Sequence, residues 1–450
     1  MPIEVTYLIV LLVAIIVWFV LLKRPIYEAM LFGYIVMIAM TKQWSNFFKY
    51  LISPSTNTLF YAIVAFLAAA QVFTETHVIE KVIDIVLSIF GRLPGGAGWV
   101  SLIASTFMGA LSGSGAGNVA ATGVFTIPAM KRSGFPSWLA ANVECAASTM
   151  GNMIPPAGVI TAAFGVLAAI GINDYVMSDF WMVVWGIAIW FILQRAVTLL
   201  VFCKIYKVKP MAKNEVLPIG KSFKAGWKSL LLAVVIFLPF FLDSKLKGTF
   251  FTARLGAGAG NQSSCILLMV PGFAALYAML IADKGINRSP KALAKRFSAS
   301  VKAIVPVSAT IYFAYAISAL FDTLKVGSTI GEFIAGWGLP KVALALLIPL
   351  FCAFLGMIIP GSSQIAIFGP ALVSVMVGTG FNPVLMCAIL PAITGAMEGM
   401  TPPLALCMYT GMGIADAPMK ETTQNCIIWC LLHYALSVLC ILGILPIMGL

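Results

Sequence analysis

The chain has 450 residues, of which 61% are apolar and only 10% charged, with 28 Lys and Arg against 16 Asp and Glu for a formal net charge of +12. A soluble chain carries about 25% charged residues, so a water-facing surface cannot be covered and a soluble globular protein is ruled out. The apolar stretches repeatedly reach the roughly 20 residues that cross a bilayer, and the surplus of positive charge lies between them, which points to cytoplasmic loops and not to nucleic acid.

The composition therefore describes an all-α polytopic membrane protein. The opening MPIEV has no basic stretch, so the run Val5 to Leu22 reads as a span and not as a cleaved signal. Hydropathy predicts about ten spans, at 5–22, 26–41, 57–75, 138–170, 180–203, 228–242, 265–283, 303–321, 383–411 and 425–446. After the third, Val78 to Phe90 places Glu80, Asp84 and Ser88 on one stripe, with Ile79, Val82, Ile83, Val86 and Phe90 opposite. That pattern predicts either an amphipathic helix in the interface plane or an ordinary connecting helix. Two further apolar stretches, 98–131 and 341–380, are each split by a Gly/Ser cluster into arms of about 14 residues, too short to span, and predict re-entrant helical hairpins.

Orientation follows from charge. With the N-terminus outside, 20 basic residues fall on the cytoplasmic side and 7 on the other, and Arg195 is left within a span. The positive-inside rule selects that orientation. Arg195 is expected to snorkel toward the basic side.

The same order of elements then occurs twice: three spans, a hairpin, a span and a span. Five crossings per half is an odd number, so residues 228–450 are expected to be inverted relative to residues 1–205, with 206–227 a basic cytoplasmic linker. An offset of about 247 residues supports the repeat: Gly113-Ser114 corresponds to Gly361-Ser362, Gly134-Phe135 to Gly380-Phe381, and Pro155-Pro156 to Pro402-Pro403. Inverted repeats are the mark of secondary transporters.

Chemistry is expected where the backbone is interrupted at membrane depth. The hairpin tip Met108 to Gly123 is rich in Gly and leaves backbone polar groups that protein, water or an ion must satisfy. Ser112, Ser114 and Asn118 add side-chain oxygens there. Within the span 138–170, Ser148 to Pro156 carries two prolines and a glycine and should break the helix. Pro360 to Gln364 and Thr394 to Pro403 are the corresponding pieces in the second half. A broken helix offers carbonyls to a cation and amides to an anion, so two tips and two breaks predict a midplane site for Na⁺ and a carboxylate. Ser114, Asn118, Asn152, Ser363, Gln364 and Glu398 are the expected substrate contacts. Two acids lie inside spans. Glu144 reads either as functional or as a hydrogen-bonded link between helices, and Glu398 as a proton carrier or cation ligand. His433 is expected to be packed, the nine cysteines to be small core residues, and two histidines without neighbouring carboxylates make no metal site.

The segments GSGAGNVAATGVFTIPAMKRSGFP (Gly113 to Pro136) and VECAASTMGNMIPP (Val143 to Pro156) resemble the large membrane subunit of TRAP transporters, closest to the fused permeases that work with TAXI-type binding proteins. Gly91 to Ser114, and EGMTPP followed by GMGIA at Gly411 to Ala415, are similar as well. The resemblance implies an elevator transporter of the prokaryotic inner membrane, driven by an ion gradient, usually of Na⁺. It also implies an extracytoplasmic binding protein and a small four-helix membrane subunit. Carried over by position, one Na⁺ site would use Ser112, Gly113, Ser114 and Asn118 with Gly151 and Asn152. The mirror site would use Gly361, Ser362 and Ser363 with Gly399 and Thr401. The chain begins almost at its first span, so no small subunit is expected to be fused ahead of it, and the second tip, PGSSQ, is less typical of the family. The expected function is symport of a small organic anion, such as glutamate or a C4-dicarboxylate. The alternative is a stand-alone carboxylate carrier coupled to protons through Glu398. No cofactor other than the coupling ion is expected. An intramembrane serine protease on Ser114 is disfavoured, because Ser112 stands where a glycine is needed and His433 is the one histidine within a span.

Overall fold

The computed structural model describes all residues except 1, 113–114, 173, 212–215, 247–249, 284–288, 327–328, 330–332, 334–335, 337, 358–359 and 402–404. The described chain is helical throughout, as a bilayer requires, since helices satisfy their own backbone groups. In chain order the helices are α1 Ile3–Ile16, continued by a π turn Val17–Leu21, α2 Ile26–Met40, α3 Phe47–Ile52, α4 Thr58–Glu75 and α5 Val78–Phe90. They continue as α6 Gly96–Ser112, α7 Gly115–Arg132, α8 Ser137–Thr149, α9 Gly158–Ala169 and α10 Met177–Ile205. The later helices are α11 Ile219–Leu246, α12 Thr252–Leu255, α13 Ala259–Ile281, α14 Pro290–Thr323, α15 Lys341–Gly356 and α16 Gly361–Gly378. The chain ends with α17 Pro383–Pro391, a π turn Ala392–Ala396, α18 Leu406–Ala415 and α19 Met419–Ile441.

Both hairpins form. Their arms, α6 with α7 and α15 with α16, are 16 to 18 residues long and exceed the expected 14. The extra turn comes from the glycines and serines beside each tip, which stay helical when packed. Both long spans break as expected: α8 gives way to a 3₁₀ turn Met150–Met153 before α9, and α17 runs into the π turn before α18.

Among the described residues six helices are long and apolar enough to cross a membrane, or seven if the bent pair around residues 44–73 counts as one span. Several of the ten expected spans appear instead as apolar helices of 10 to 17 residues. A π turn follows α1 and another follows α17, and hydropathy alone does not register such interruptions. Two expected basic loops are partly helix: α11 begins at Ile219 and α14 at Pro290, so Lys221, Lys224, Lys228, Lys291 and Lys295 continue the helices beyond their apolar cores. Lys and Arg are good helix formers, and a hydropathy window does not see them.

α5 exists as predicted, and its apolar residues Val78, Val82, Ile85 and Val86 are buried while Asp84 is exposed. Ser88 departs from the expected polar stripe. It is buried, and its hydroxyl donates to the Ile85 carbonyl at 2.7 Å, which lets a serine enter an apolar contact without an unmet bond.

Candidate functional site

The first break is built around close backbone contact. Gly151 lies against Gly109 of α6 so tightly that a methyl group on either residue would overlap the other's backbone. The second break repeats the device, with the backbone of Gly361, at the start of α16, against Gly395 in the π turn. Each hairpin is thus seated on the break of its own half through a pair of glycines.

The two breaks also meet. Asn152 donates its side-chain amide to the Gly395 carbonyl at 2.8 Å. A methyl group on Gly399 would lie 2.7 Å from Cγ2 of Thr149 and 2.6 Å from Sγ of Cys407. The same sulfur would lie 2.6 Å from a methyl group on Gly115, which opens α7 at the first tip. Cys145 of α8 approaches the Gly399 carbonyl at 3.7 Å. Both tips and both breaks therefore converge on one region.

The predicted site residues fare differently within it. Gly113, Ser114 and the side chain of Ser112 lie outside the described residues. Asn118 is fully buried on α7, and its amide donates to the Ser105 carbonyl at 2.5 Å. Only the NH₂ can face a carbonyl, so Oδ1 points the other way, and it has no partner. Ser363 is likewise fully buried with an unpartnered hydroxyl, and Gln364 is buried beside it. Ser362 is half-buried. The Thr401 hydroxyl is taken by the Met397 carbonyl at 2.9 Å. Glu398 is half-buried, and its carboxylate accepts the backbone N–H of Gly361, which places an acid directly at the second tip.

Glu144 takes the reading of a link between helices. It is fully buried, and five hydroxyls donate to it: Ser101 and Ser105 of α6 at 2.7 Å, Thr122 and Thr126 of α7 at 2.5 Å, and Ser148 of its own helix at 3.0 Å. One carboxylate thereby joins both arms of the first hairpin to the broken helix.

Arg195 does not snorkel. It is 2% exposed in the middle of α10, with Nε donating to the Ala146 carbonyl at 2.8 Å and the guanidinium 3.0 Å from Nδ1 of His433. The carbonyl at the end of α8 and the imidazole outbid the distant interface because they satisfy the donor fork where it stands. His433 is packed as expected, buried with its ring 4.4 Å from that of Phe191.

A cavity of about 400 Å³ lies beyond Pro155 and Pro156, among Trp99, Trp185 and Phe237. Its lining is almost wholly apolar, without a charged side chain, and it adjoins the first break through Ile154, Pro155 and Pro156.

Residues 5–446 match the family described as tripartite ATP-independent periplasmic transporter, DctM component. The chain belongs to this family. It is a membrane transporter component and not an enzyme. The permease is 22% identical over 380 residues to the C4-dicarboxylate TRAP transporter large permease protein DctM of Pseudomonas aeruginosa, covering 84% of this chain and 83% of that protein. It is 23% identical over 421 residues to the ectoine TRAP transporter large permease protein TeaC of Halomonas elongata, covering 89% and 88%. With the isethionate TRAP transporter permease protein DctMQ of Oleidesulfovibrio alaskensis it shares 25% identity over 391 residues, 86% of this chain and 56% of that one. Among solved structures, Neisseria gonorrhoeae MtrF, presented as one of a class of antimetabolite efflux pumps, aligns with a TM-score of 0.66 at 16% identity over 89% of the permease and 83% of MtrF. The Alcanivorax borkumensis YdaH transporter aligns at 0.59, also at 16%, over 90% and 88%. Both show a shared fold.

Sequence reasoning missed the five hydroxyl residues around Glu144. Their signal is present in the permease: Ser101 and Ser105, Thr122 and Thr126, and Glu144 and Ser148 each stand four apart, the spacing that brings side chains to one helix face.

Proposed function

We propose that the permease carries a small organic anion, a carboxylate such as glutamate or a C4-dicarboxylate, across the prokaryotic inner membrane by symport with Na⁺. The observation that carries this reading is the meeting of two hairpin tips and two broken helices at one place. Broken half-helices direct amides toward an anion and carbonyls toward a cation, and their pairing across a repeat is the arrangement used by secondary transporters. The unpartnered oxygens of Asn118 and Ser363 are the groups best placed to serve an ion or substrate, with Ser112, Gly113, Ser114 and Gly151 completing the first ion site and Gly361, Ser362, Gly399 and Thr401 the second. Gln364 and Glu398 face the substrate from the second tip. Asn152 acts by holding the breaks together, because its amide is already committed to Gly395.

Residues 1–205 and 228–450 form two inverted repeats joined by 206–227, with the N-terminus outside. The order of helices supports this, since three apolar helices, a hairpin, a broken helix and a final helix occur in each half. The hairpins and broken helices move as one elevator body. The family's description as tripartite supports delivery of substrate by an extracytoplasmic binding protein, together with a small four-helix membrane subunit. The names of the C4-dicarboxylate, isethionate and ectoine relatives support an organic ion as cargo.

Proton coupling is the second reading, and the place of Glu398 at the Gly361 N–H favours it. Uptake by Ser363→Ala and Asn118→Ala separates the two readings. Under Na⁺ coupling the half-saturating Na⁺ concentration rises about tenfold, the effect of losing an interaction of ordinary coupling strength. Under proton coupling the two variants keep wild-type ion dependence, and Glu398→Gln abolishes accumulation.

A further inference from the structure

The transport reading leaves a deeply buried arginine–histidine pair without a role. Arg195 stands on α10 and His433 on α19, the closing helices of the two halves, and both are essentially sealed from outside. Arg195 Nε donates to the Ala146 carbonyl at 2.8 Å, and a second guanidinium nitrogen is held by Oε1 of Gln194 at 2.9 Å. The third nitrogen lies 3.0 Å from Nδ1 of His433, whose Nε2 lies 2.9 Å from the Ala392 carbonyl.

The donor roles are fixed by chemistry. A carbonyl accepts only, so Nε2 of His433 carries the hydrogen; a guanidinium donates only, so Nδ1 accepts. The imidazole is the neutral Nε2–H tautomer, with one bond in each direction. A continuous chain of hydrogen bonds therefore runs from the Ala146 carbonyl through Arg195 and His433 to the Ala392 carbonyl.

Its two ends are not arbitrary. Ala146 lies in the last turn of α8, where the N–H of Met150 turns to the Ala147 carbonyl as the helix tightens into its 3₁₀ segment. Ala392 is the first residue of the π turn at the other break. Each end of the chain thus meets a carbonyl where a helical ladder changes its pattern: that of Ala146 takes Nε of Arg195 beside the Thr149 hydroxyl at 3.0 Å, and that of Ala392 takes the His433 ring. The positive guanidinium is also set at the C-terminal end of α8, where the helix dipole favours a cation.

We propose that Arg195 and His433 are positioning residues that form one brace between the two helix breaks, fixing their separation and making the ion and substrate sites of the two halves respond together. The brace touches neither ion nor substrate. It rests on the transport reading for its functional consequence, while its existence as a brace does not. It also assigns α10 and α19 to the same rigid body as the broken helices.

Hydrogen–deuterium exchange on the purified protein tests the brace without any transport. In Arg195→Met, amides at 146–153 exchange faster, and so do those at 392–398, which Arg195 does not contact. His433→Phe, which keeps a ring against Phe191, produces the same pair of effects. His433→Gln keeps one acceptor and one donor and restores protection at both breaks. If each substitution loosens only the break it touches, the brace does not exist. The consequence is then read by uptake in proteoliposomes. His433→Phe raises the half-saturating Na⁺ concentration about tenfold, His433→Gln stays within about twofold of wild type, and the Arg195→Met/His433→Phe pair is no worse than either alone, as expected of residues acting as a unit. Changes confined to maximal rate, with unaltered half-saturation, would reduce the pair to a packing role. Should His433→Phe fail to fold, Arg195→Lys, which keeps the charge but loses the fork, is judged by the same criteria. Wild-type protein with no Na⁺ dependence would overturn the Na⁺-coupled reading and leave the exchange result to stand by itself.

Discussion

Gly151 and Gly361 each admit another backbone where no side chain fits. Replacing either by Ala inserts a methyl group into backbone that cannot retreat, and overpacking of that kind costs about 1–3 kcal/mol. Gly151→Ala and Gly361→Ala are therefore expected to lower uptake at least tenfold while the protein still reaches the membrane, measured as initial rate per assembled molecule; rates near wild type would show that the breaks need no such approach. Glu144 makes a different prediction, on stability. Glu144→Leu strands hydroxyls that each lose a charge-assisted bond, although Thr122 and Thr126 retain backbone acceptors at 2.8 and 3.1 Å. The thermal midpoint in detergent should fall by several degrees, and Ser101→Ala, which removes one donor of five, should fall much less. An equal effect from both would mean that the cluster is not a joint. Glu144 was visible in the sequence as an acid at membrane depth, but its partners were not, because they come from three helices. Arg195 was misjudged for a related reason: distance to the interface can be counted along one helix, whereas the acceptors at Ala146 and His433 exist only after folding.

At the scale of elements, the hairpins and breaks were legible because Gly, Ser and Pro interrupt apolar runs for reasons that do not depend on tertiary context. Their arm lengths were less so, since small residues beside a tip remain helical when another helix covers them. The basic extensions of α11 and α14 were hidden because a hydropathy profile ends where lysines begin. Those extensions carry a prediction about side. With the N-terminus outside, a cysteine at Lys224 of α11 should react with a membrane-impermeant thiol reagent only from the cytoplasmic face, and one at Lys245, near the other end, only from outside. The chain's own nine cysteines, of which Cys265 is exposed, would first be replaced. Labelling of Lys224→Cys from outside would invert the orientation and remove the positive-inside argument.

Across the whole molecule, the repeat of helices, the paired glycine contacts and the brace between α10 and α19 tie each half's hairpin to its own break and each break to the other. Such a body has few internal degrees of freedom, so transport by rigid movement against the remaining helices is the motion it favours. Neither the cargo nor the coupling ion is written in residue types alone, since amides and hydroxyls serve many carboxylates. The most direct test is accumulation of labelled glutamate and C4-dicarboxylates by the purified permease in proteoliposomes, with its small membrane subunit present. An inward Na⁺ gradient is compared with a proton gradient, each with and without the partner binding protein. Accumulation that requires both the Na⁺ gradient and the binding protein is the predicted result. Accumulation driven by protons in the absence of Na⁺, or undiminished without the binding protein, would contradict it.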